Sequence, residues 1–367
     1  MADVLLVGGG RIGIYMADKL LEKGVEVAVA DIDVDKLRYF EERHETRKAN
    51  ILNIEDVEEV TRDVDWVLTA LPGSIAYKGI VNILQMGKNV IDISFYPGDP
   101  WSLGELAEKN GVLYMPDAGV APGLSNVLAA NIDGELGGAD KIEIYVGGVS
   151  YKPDGFLGMA LTWSPMDLLE EYIRSARIIV EGKIVDADPL ETTGVITIPD
   201  MGEMEYFASD GLRTLLKTMS HVPFMRELTL RYKGHIKLMK FLKWLGLLSY
   251  DDINVKGTLV KPIELLSEVL EKYIENRFRD RVIMYVYGEK GDVRIEYLLH
   301  QLYDENKRFS GMSIVTGSTA VAMLLLGYRG ELDSTGMYPP EYVGMDSKLY
   351  TKFIDFIRDM GVNLERL

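Results

Sequence analysis

The sequence predicts an α/β protein in which a doubly wound, parallel Rossmann sheet is followed by an α+β domain. Three observations lead to this fold class. Short apolar runs alternate with longer amphipathic segments over residues 1–150, a glycine-rich turn directly follows the first apolar run, and later segments alternate apolar and polar residues as antiparallel strands do. The predicted regions are a Rossmann domain at 1–120, an α+β domain at 121–320, and C-terminal helices at 321–367 that pack back on the first domain.

Six strands are predicted in the first region, each a short apolar run, with helices between them. A helix over 12–23 is indicated by Ile12, Met16 and Leu20, which share one apolar stripe. The predicted strands cover residues 3–7, 25–30, 49–52, 66–70, 90–93 and 112–115.

The second region has the pattern of strands and hairpins, and the end of the chain is helical again. The predicted elements are a strand over 140–150, a hairpin over 176–187 that turns at residues 181–183, a hairpin over 281–304 that turns near 288–292, a helical region from Thr319, and a last helix over 348–360.

The composition is that of a folded, acidic protein. Its 367 residues are 47% hydrophobic, enough for a large core, and a net charge of −17 opposes binding to nucleic-acid phosphates. The longest apolar run, 321–326, is far shorter than the ~20 residues of a spanning helix, and the N-terminus lacks the features of a signal peptide. There are no cysteines, so disulfides and thiolate chemistry are excluded. We therefore expect a cytoplasmic protein with neither a nucleic-acid nor a membrane partner.

A dinucleotide fingerprint follows the first strand. Gly8, Gly10 and Gly13 form a G-x-G-x-x-G pattern at the start of a helix, where the glycines permit a tight turn, approach to a pyrophosphate and close helix–strand packing. Asp31 ends the second strand, where its carboxylate would bind the adenosine ribose and repel a 2′-phosphate. The pattern therefore predicts NAD, with NADP disfavoured and FAD as an alternative.

Other strand ends belong to the same predicted site. Ala70-Leu71-Pro72-Gly73 follows the fourth strand and Asp92-Ile93-Ser94 ends the fifth, at the edge of the sheet where ligands bind. Ordinary loop chemistry is the alternative for these residues. The predicted cofactor contacts are completed by Arg11, Ile12, Ile32 and Asn50.

Three stretches resemble one known family: PDAGVAPGLSN at 116–126, SDGLRT at 209–214 and LRYKGHIKLMKFLKWLG at 230–246, to which LTWSP at 161–165 and VTGSTAVAMLLL at 315–326 can be added. The sequence resembles the saccharopine dehydrogenase superfamily, and among its members the lysine 6-dehydrogenases. The resemblance implies a Rossmann domain joined to an α+β domain that binds an amino acid and contributes to a homodimer. It also implies oxidative deamination of the ε-amino group of L-lysine to a semialdehyde that cyclises.

One position departs from a neighbouring subfamily. Saccharopine reductases usually read G-L-D-P-G at the turn where this chain has Gly119 to Gly123, and Ala121 replaces their aspartate. A carboxylate at the start of a helix interacts favourably with the helix dipole. The lack of one at Ala121 therefore does not serve to form the helix. The difference favours a lysine 6-dehydrogenase over a saccharopine reductase, while a non-catalytic NAD-binding sensor is a third alternative.

The predicted chemistry requires a group that handles the proton of the substrate amine. Asp117 is the carboxylate nearest to the end of the sixth strand, and it either binds the ammonium group or caps the following turn. His235 is a second candidate for proton transfer, with a structural role as the alternative. Tyr96 is a third candidate, or a pocket wall.

The α-carboxylate of an amino acid calls for arginine, whose planar guanidinium makes two hydrogen bonds to it. Arg213 and Arg231 are the candidates, each with a structural ion pair as the alternative, and Trp163 is a candidate pocket wall. No metal site is expected, because the four histidines form no close pair. The segment 235–248 carries lysines at three-residue spacing, and we expect a buried helix with a solvated stripe, or part of a dimer interface, over a membrane-surface helix.

Overall fold

Each of the two units of the chain has its own β-sheet. The computed structural model describes residues 2–152, 158, 161, 164–274 and 279–367. One unit contains Met1–Asn131 and Ser313–Val362, and the other contains Ile132–Met312 and Asn363–Leu367.

The first part of the chain alternates strands and helices. Its strands are β1 (Val4–Val7), β2 (Val27–Asp31), β3 (Glu45–Lys48), β4 (Trp66–Thr69), β5 (Asn89–Asp92) and β6 (Leu113–Met115). Its helices are α1 (Arg11–Glu22), α2 (Val34–Leu37), α3 (Ile54–Thr61), α4 (Gly73–Gln85), α5 (Trp101–Lys109) and α6 (Leu124–Leu136).

The middle of the chain contains longer strands. These are β7 (Lys141–Ser150), β8 (Ala176–Val180), β9 (Lys183–Ala187), β10 (Thr193–Ile198), β11 (Gly202–Ser209), β12 (Phe224–Arg231), β13 (Ile253–Val255), β14 (Thr258–Val260), β15 (Asp280–Lys290) and β16 (Val293–Leu302). The helices between them are α7 (Pro165–Glu170), α8 (Leu215–Thr218), α9 (His235–Trp244) and α10 (Pro262–Ile274).

The last part of the chain returns to both sheets. It contains α11 (Gly311–Tyr328), β17 (Gly336–Met337), α12 (Glu341–Met345), α13 (Ser347–Asp359) and β18 (Leu364–Arg366). Strand β17 joins the first sheet beside β6, and β18 joins the second beside β16.

The sheet of the first unit confirms the predicted Rossmann topology. Its seven strands lie in the order β17-β6-β5-β4-β1-β2-β3, and the pairs within it are parallel. The order reverses beside β1, where doubly wound sheets place the ligand crevice at the carboxyl ends of the strands. The sheet core is built from apolar residues such as Leu5, Ala28, Val67 and Val90.

Helix α11 packs in the core of the first unit. A Cβ atom on Gly317 would lie 2.4 Å from the ring of Tyr15, and one on Gly327 would lie 2.2 Å from the ring of Trp66. These glycines therefore let the helix approach its neighbours closely. The helix has 18 residues and is apolar enough to cross a membrane, but 89% of it is buried inside the protein, as in the core helix of a soluble protein.

The second sheet is mixed. The predicted hairpins are confirmed: β8 pairs with β9 and β15 with β16, both antiparallel. Glu181 and Gly182 form the first turn, both with positive φ (50° and 72°), as the tightest hairpin turns require. The antiparallel pattern expected for this domain has one exception, because β12 pairs with β7 in parallel.

Two predicted elements are wrong for identifiable reasons. The third strand is β3 and not residues 49–52: β3 is a polar edge strand without an apolar pattern, and Ala49 and Ile51 are buried in the turn that follows it. The C-terminal region is not entirely helical, because β18 pairs with β16 in the second unit.

The domain boundaries also differ from the predicted ones. The first unit extends to Asn131 and resumes at Ser313, where 120 and 321 were predicted. The start of α6 stays with this unit because Asn126 bonds to Glu341 of α12 and a Cβ atom on Gly344 would lie 2.1 Å from the carbonyl oxygen of Val127.

Helix α9 lies at the surface of the second unit. It buries His235, Ile236 and Met239, whereas Trp244 is 79% and Phe241 50% exposed. The two exposed rings stack with centroids 6.0 Å apart. The expectation of a buried helix with a solvated stripe is therefore wrong for this aromatic pair, while its alternative, part of a dimer interface, stays a prediction.

Candidate functional site

The turn after β1 has the geometry of a phosphate-binding loop. Gly8 has φ 111°, and a Cβ atom there would lie 2.3 Å from the carbonyl oxygen of Ala70. A Cβ atom on Gly13 would lie 2.0 Å from the carbonyl oxygen of Gly8, so α1 packs directly on the turn. Glycine is required at both positions because a carbonyl oxygen lies too close for a Cβ atom.

Gly10 differs, because a Cβ atom built on it meets nothing within 4 Å. It is the N-cap residue of α1. The helix therefore starts beside open space at Gly10, which suits the pyrophosphate of a dinucleotide.

Asp31 lies at the end of β2, and its carboxylate faces the glycine turn. The N–H of Gly9 donates to Oδ2 at 2.8 Å, and the N–H of Asp33 donates to Oδ1 at 2.9 Å. Ile32, the next residue, is 61% exposed. Each carboxylate oxygen keeps acceptor capacity for a ribose hydroxyl. Asn50 is exposed in the turn after β3, where its Oδ1 accepts from the N–H of Leu52 at 3.1 Å.

The ends of β4 and β5 are joined by a buried polar network. The hydroxyl of Thr69 donates to Oδ1 of Asp92 at 2.6 Å, and the N–H of Ser94 donates to the same oxygen at 3.0 Å. Oγ of Ser94 accepts from the N–H of Leu71 at 3.0 Å. The network fixes the loop after β4, which also contains Ala70 and the exposed Pro72, against the end of β5.

The candidate catalytic residues of the first unit lie beside this network. Asp117 is buried after β6 and has φ 57°, a left-handed conformation that non-glycine residues adopt uncommonly. The N–H of Ala118 donates to the backbone carbonyl of Asp92 at 2.8 Å. The hydroxyls of Tyr96 and Tyr114, both fully buried, are 2.7 Å apart.

Burial controls the protonation of this cluster. Burial raises the pKa of Asp92 to about 7; the hydrogen bonds from Ser94 and Thr69 oppose that rise, and the charge of Asp117 adds to it. Burial also raises the pKa of Tyr114 well above its usual value, with Tyr96, Asp92 and Asp117 adding to the rise. The tyrosine therefore stays a neutral hydroxyl, and Asp92 keeps its proton to a much higher pH than an ordinary aspartate does.

A side chain of α6 bonds to the turn that contains Ala121. Gly123 has φ 134° and donates its N–H to Oδ1 of Asn126 at 3.1 Å, and the bond from Ala121 to Pro122 is cis. The amide of Asn126 donates to Glu341 at 3.2 Å. Asn126 is thus a link between the turn and α12.

The second unit brings two other candidates together. Nε of Arg231 donates to the hydroxyl of Tyr172 at 3.0 Å, and that hydroxyl is 2.8 Å from Nε2 of His235. Either the tyrosine hydroxyl or Nε2 is the donor in this bond, according to the tautomer of the imidazole. Burial raises the pKa of Tyr172 to about 12. Arg231 also donates to Glu171 at 3.0 Å and to the carbonyl of Leu230 at 2.9 Å.

Arg213 is placed differently. It is buried and has φ 47°, an uncommon conformation for a long side chain that is often found at functional sites. In the same stretch, a Cβ atom on Gly211 would lie 1.6 Å from Oε1 of Glu227, so the carboxylate occupies the space beside that glycine. Trp163 lies outside the described residues.

The site residues therefore form separate groups. Asp117 and Tyr96 belong to the first unit, and Arg213, Arg231 and His235 belong to the second. Sequence reasoning placed Asp92 at a strand end beside the cofactor without giving it a role, and it missed Thr69, although Thr69 is a polar residue that ends an apolar strand, a signal that was available. Tyr172 carried no such signal. Among the residues that the structure describes, no cluster of three His, Asp or Glu side chains could hold a metal ion.

The first sheet, its glycine turn and Asp31 define a dinucleotide-binding Rossmann protein with a second, mixed-sheet unit. Comparison with known families makes the class specific. The chain belongs to the saccharopine dehydrogenase family: residues 4–115 match the saccharopine dehydrogenase NADP binding domain, and residues 119–362 match the saccharopine dehydrogenase C-terminal domain. The resemblance found in the sequence is thus confirmed for the family.

Individual relatives are distant. The bovine mitochondrial alpha-aminoadipic semialdehyde synthase is 24% identical over 73% of this chain and 31% of its own length, and a saccharopine dehydrogenase [NADP(+), L-glutamate-forming] from Pyricularia oryzae is 23% identical over 68% and 59%. The chain thus matches less than two thirds of either relative. A carboxyaminopropylagmatine dehydrogenase from Synechocystis is 22% identical over 99% of this chain and 96% of its own.

A solved structure has the same fold over its whole length. The apo saccharopine dehydrogenase (L-Glu forming) from Saccharomyces cerevisiae superposes with a TM-score of 0.79 over 100% of both chains, at 17% sequence identity. This likeness supports the two-unit architecture.

Proposed function

We propose that this protein is a NAD-dependent dehydrogenase that oxidatively deaminates the ε-amino group of L-lysine. Membership of the saccharopine dehydrogenase family supports an oxidoreductase that acts on an amino-acid-derived amine. The resemblance to lysine 6-dehydrogenases supports lysine as the amino acid. The observation that carries the choice of a primary amine is Ala121, which stands where saccharopine reductases usually have an aspartate.

The chain's own residues bind, orient and manage protons. The first turn of α1 beside Gly10 suits the pyrophosphate, and Asp31 suits the adenosine ribose. A bound NAD supplies the hydride acceptor. Asp117 binds the substrate ammonium or takes its proton, because hydride leaves a carbon whose amine is neutral. Arg213 is the proposed partner of the substrate α-carboxylate.

The preference for NAD is supported by the charges after β2. The names of the matched domain and of several relatives contain NADP, but here Asp31 ends β2 and Asp33 lies two residues further on, where the adenosine ribose is expected. Arg38, which follows α2 and is a cation that could bind a 2′-phosphate, pairs with Asp35 at 2.8 Å. A 2′-phosphate would therefore meet carboxylates first.

A saccharopine-type dehydrogenase acting on a secondary amine is the second candidate. It is favoured by the relatives, since the Pyricularia oryzae protein and the solved yeast structure are named saccharopine dehydrogenases. Ala121 argues against it.

One assay separates these candidates. Purified protein is incubated with NAD or NADP and with L-lysine, saccharopine or other amino acids, while absorbance by the reduced nicotinamide is followed. We expect reduction of NAD with L-lysine, and an Asp117→Asn variant is expected to lose at least tenfold in kcat/KM while Asp99→Asn, an exposed aspartate of the same unit, does not. Reduction with saccharopine alone would support the second candidate, and no reduction with any substrate would indicate an NAD-binding sensor.

We also propose that the protein is a homodimer. The stacked and exposed Phe241 and Trp244 of α9 supply an apolar surface that supports self-association. Light scattering should give the mass of two chains, and a Phe241→Ser, Trp244→Ser variant tests whether this surface is responsible.

A further inference from the structure

The two oxygens of the Asp92 carboxyl group lie in different surroundings. Oδ1 accepts from the hydroxyl of Thr69 at 2.6 Å and from the N–H of Ser94 at 3.0 Å. Oδ2 is equally buried and has no hydrogen-bond partner in the described part of the chain. Buried polar atoms are nearly always paired, so Oδ2 marks a position that a proton or a ligand completes.

The charge around Asp92 is negative. The charge of Asp117, after β6, contributes to the raised pKa of Asp92. The charge of Asp92 in turn contributes to the raised pKa of Tyr114, within β6, whose hydroxyl is bonded to that of Tyr96. The groups on β4 and at Ser94 are neutral donors. Burial disfavours the charged form of Asp92 and the charge of Asp117 adds to this effect, so the neutral form is favoured until a cation arrives.

We propose that Asp92 is a positioning residue that holds a proton in the free protein and releases it when a cationic amine binds at Asp117. This inference rests on the proposed function, which brings such an amine to the site. An ammonium group compensates the second negative charge that Asp92 acquires on ionisation. The balance is one ammonium bound and one proton released to solvent, with no electron transferred.

The position of Asp92 gives this titration a structural effect. Its Oδ1 accepts hydrogen bonds from the hydroxyl of Thr69 on β4 and from the N–H of Ser94 after β5. Oγ of Ser94 in turn accepts from the N–H of Leu71 at 3.0 Å. A change of charge on Asp92 strengthens both bonds to Oδ1, because hydrogen bonds to a charged acceptor are stronger. Amine binding is therefore linked to the loop after β4.

The first test uses the free protein. Infrared difference spectra are recorded between about pH 6 and about pH 8, a range around the midpoint of about 7 expected for Asp92. We expect the band of a protonated carboxyl group to disappear in this range in the parent protein and in Asp35→Asn, an exposed control, and to be absent from Asp92→Asn. A band that is unchanged in Asp92→Asn would overturn the proposal.

The second test measures proton release on binding. L-lysine and saccharopine are each titrated calorimetrically into NADH-loaded protein at about pH 6, in two buffers of different ionisation enthalpy. We expect about one proton released per bound amine in the parent protein and about none in Asp92→Asn. If neither amine causes a proton release that is lost in Asp92→Asn, the proposal is overturned. Failure of L-lysine alone would overturn the lysine assignment of the proposed function and leave the role of Asp92 supported by saccharopine.

Discussion

The side-chain amide of Asn126 donates a hydrogen bond to the carboxylate of Glu341, 3.2 Å away, although 215 residues separate them in the sequence. Both side chains are fully buried. Because Oδ1 of Asn126 also accepts the N–H of Gly123 at 3.1 Å, the turn that contains Ala121 is attached to α12 through one side chain. The shape of this turn therefore depends on the last part of the chain.

Glu341→Ala is expected to destabilise the protein by roughly 1–3 kcal/mol, since it removes a buried acceptor from Asn126. Glu341→Gln keeps an acceptor and is expected to lose less. Urea unfolding measures both variants. Glu58→Ala, at an exposed position of α3, is the matched control and should change the free energy of unfolding by less than about 0.5 kcal/mol. An equal loss in Glu58→Ala would contradict the assignment.

Substitution by lysine should separate the roles of the two candidate arginines. Arg231→Lys loses the guanidinium that bonds Glu171, Tyr172 and Leu230, so we expect a loss of roughly 2–4 kcal/mol in the free energy of unfolding. Arg213→Lys should instead raise KM for L-lysine more than about tenfold, a loss above ~1.4 kcal/mol in substrate binding. Urea unfolding and steady-state kinetics on both variants check this. The opposite assignment, with KM raised in Arg231→Lys and unchanged in Arg213→Lys, would refute it.

Features set by neighbouring residues could be predicted from the sequence. The strands β1, β4 and β5 are largely apolar runs, and the glycine turn with Asp31 is a local motif. The sequence therefore predicted these strands and this turn correctly. Strand β3 was misplaced because its sequence, ETRK, is polar at a sheet edge. The parallel pairing of β12 with β7 follows from tertiary contacts that no local pattern encodes.

The same limit applies to the candidate site. Asp117 became a candidate because it follows a strand end, and its role stays a prediction, whereas the network of Asp92 depends on Thr69 of a neighbouring strand, 23 residues earlier. Arg231 was a candidate clamp because its residue type fits a carboxylate, yet Glu171 of its own chain is a carboxylate 3.0 Å away. Residue type indicates what a side chain is able to bind, and only the fold decides which partner is present.

Removal of the negative charge at Asp31 should shift the cofactor preference. Asp31→Asn keeps an oxygen that accepts from Gly9 or Asp33, but it no longer repels a 2′-phosphate. We expect the ratio of kcat/KM for NAD over NADP to fall at least about tenfold, which corresponds to ~1.4 kcal/mol. Asp99→Asn, at an exposed position of the same unit, is the control for the loss of one negative charge. An unchanged ratio in Asp31→Asn would mean that this carboxylate does not face the ribose.

The raised pKa of Asp92 makes the stability of the protein depend on pH. In the folded state burial raises this pKa from 3.8 to about 7. Between these two values the folded protein keeps a proton that the unfolded chain has lost, so the free energy of unfolding contributed by this group falls as the pH rises. Below the lower value both states are protonated, and above about 7 both are ionised and the full loss is present.

The loss is on the order of 4 kcal/mol, from about three pH units at 1.4 kcal/mol each. Asp92→Asn has no such titration, so its stability relative to the parent protein should improve by a few kcal/mol between about pH 4 and about pH 8. Urea unfolding of both proteins at these two pH values measures the difference. The same comparison with Asp35→Asn, at an exposed position, should give a change of less than about 0.5 kcal/mol. If the difference in free energy of unfolding between Asp92→Asn and the parent does not change with pH, Asp92 is ionised throughout this range. It would then have no proton to release, and the proposal would be refuted.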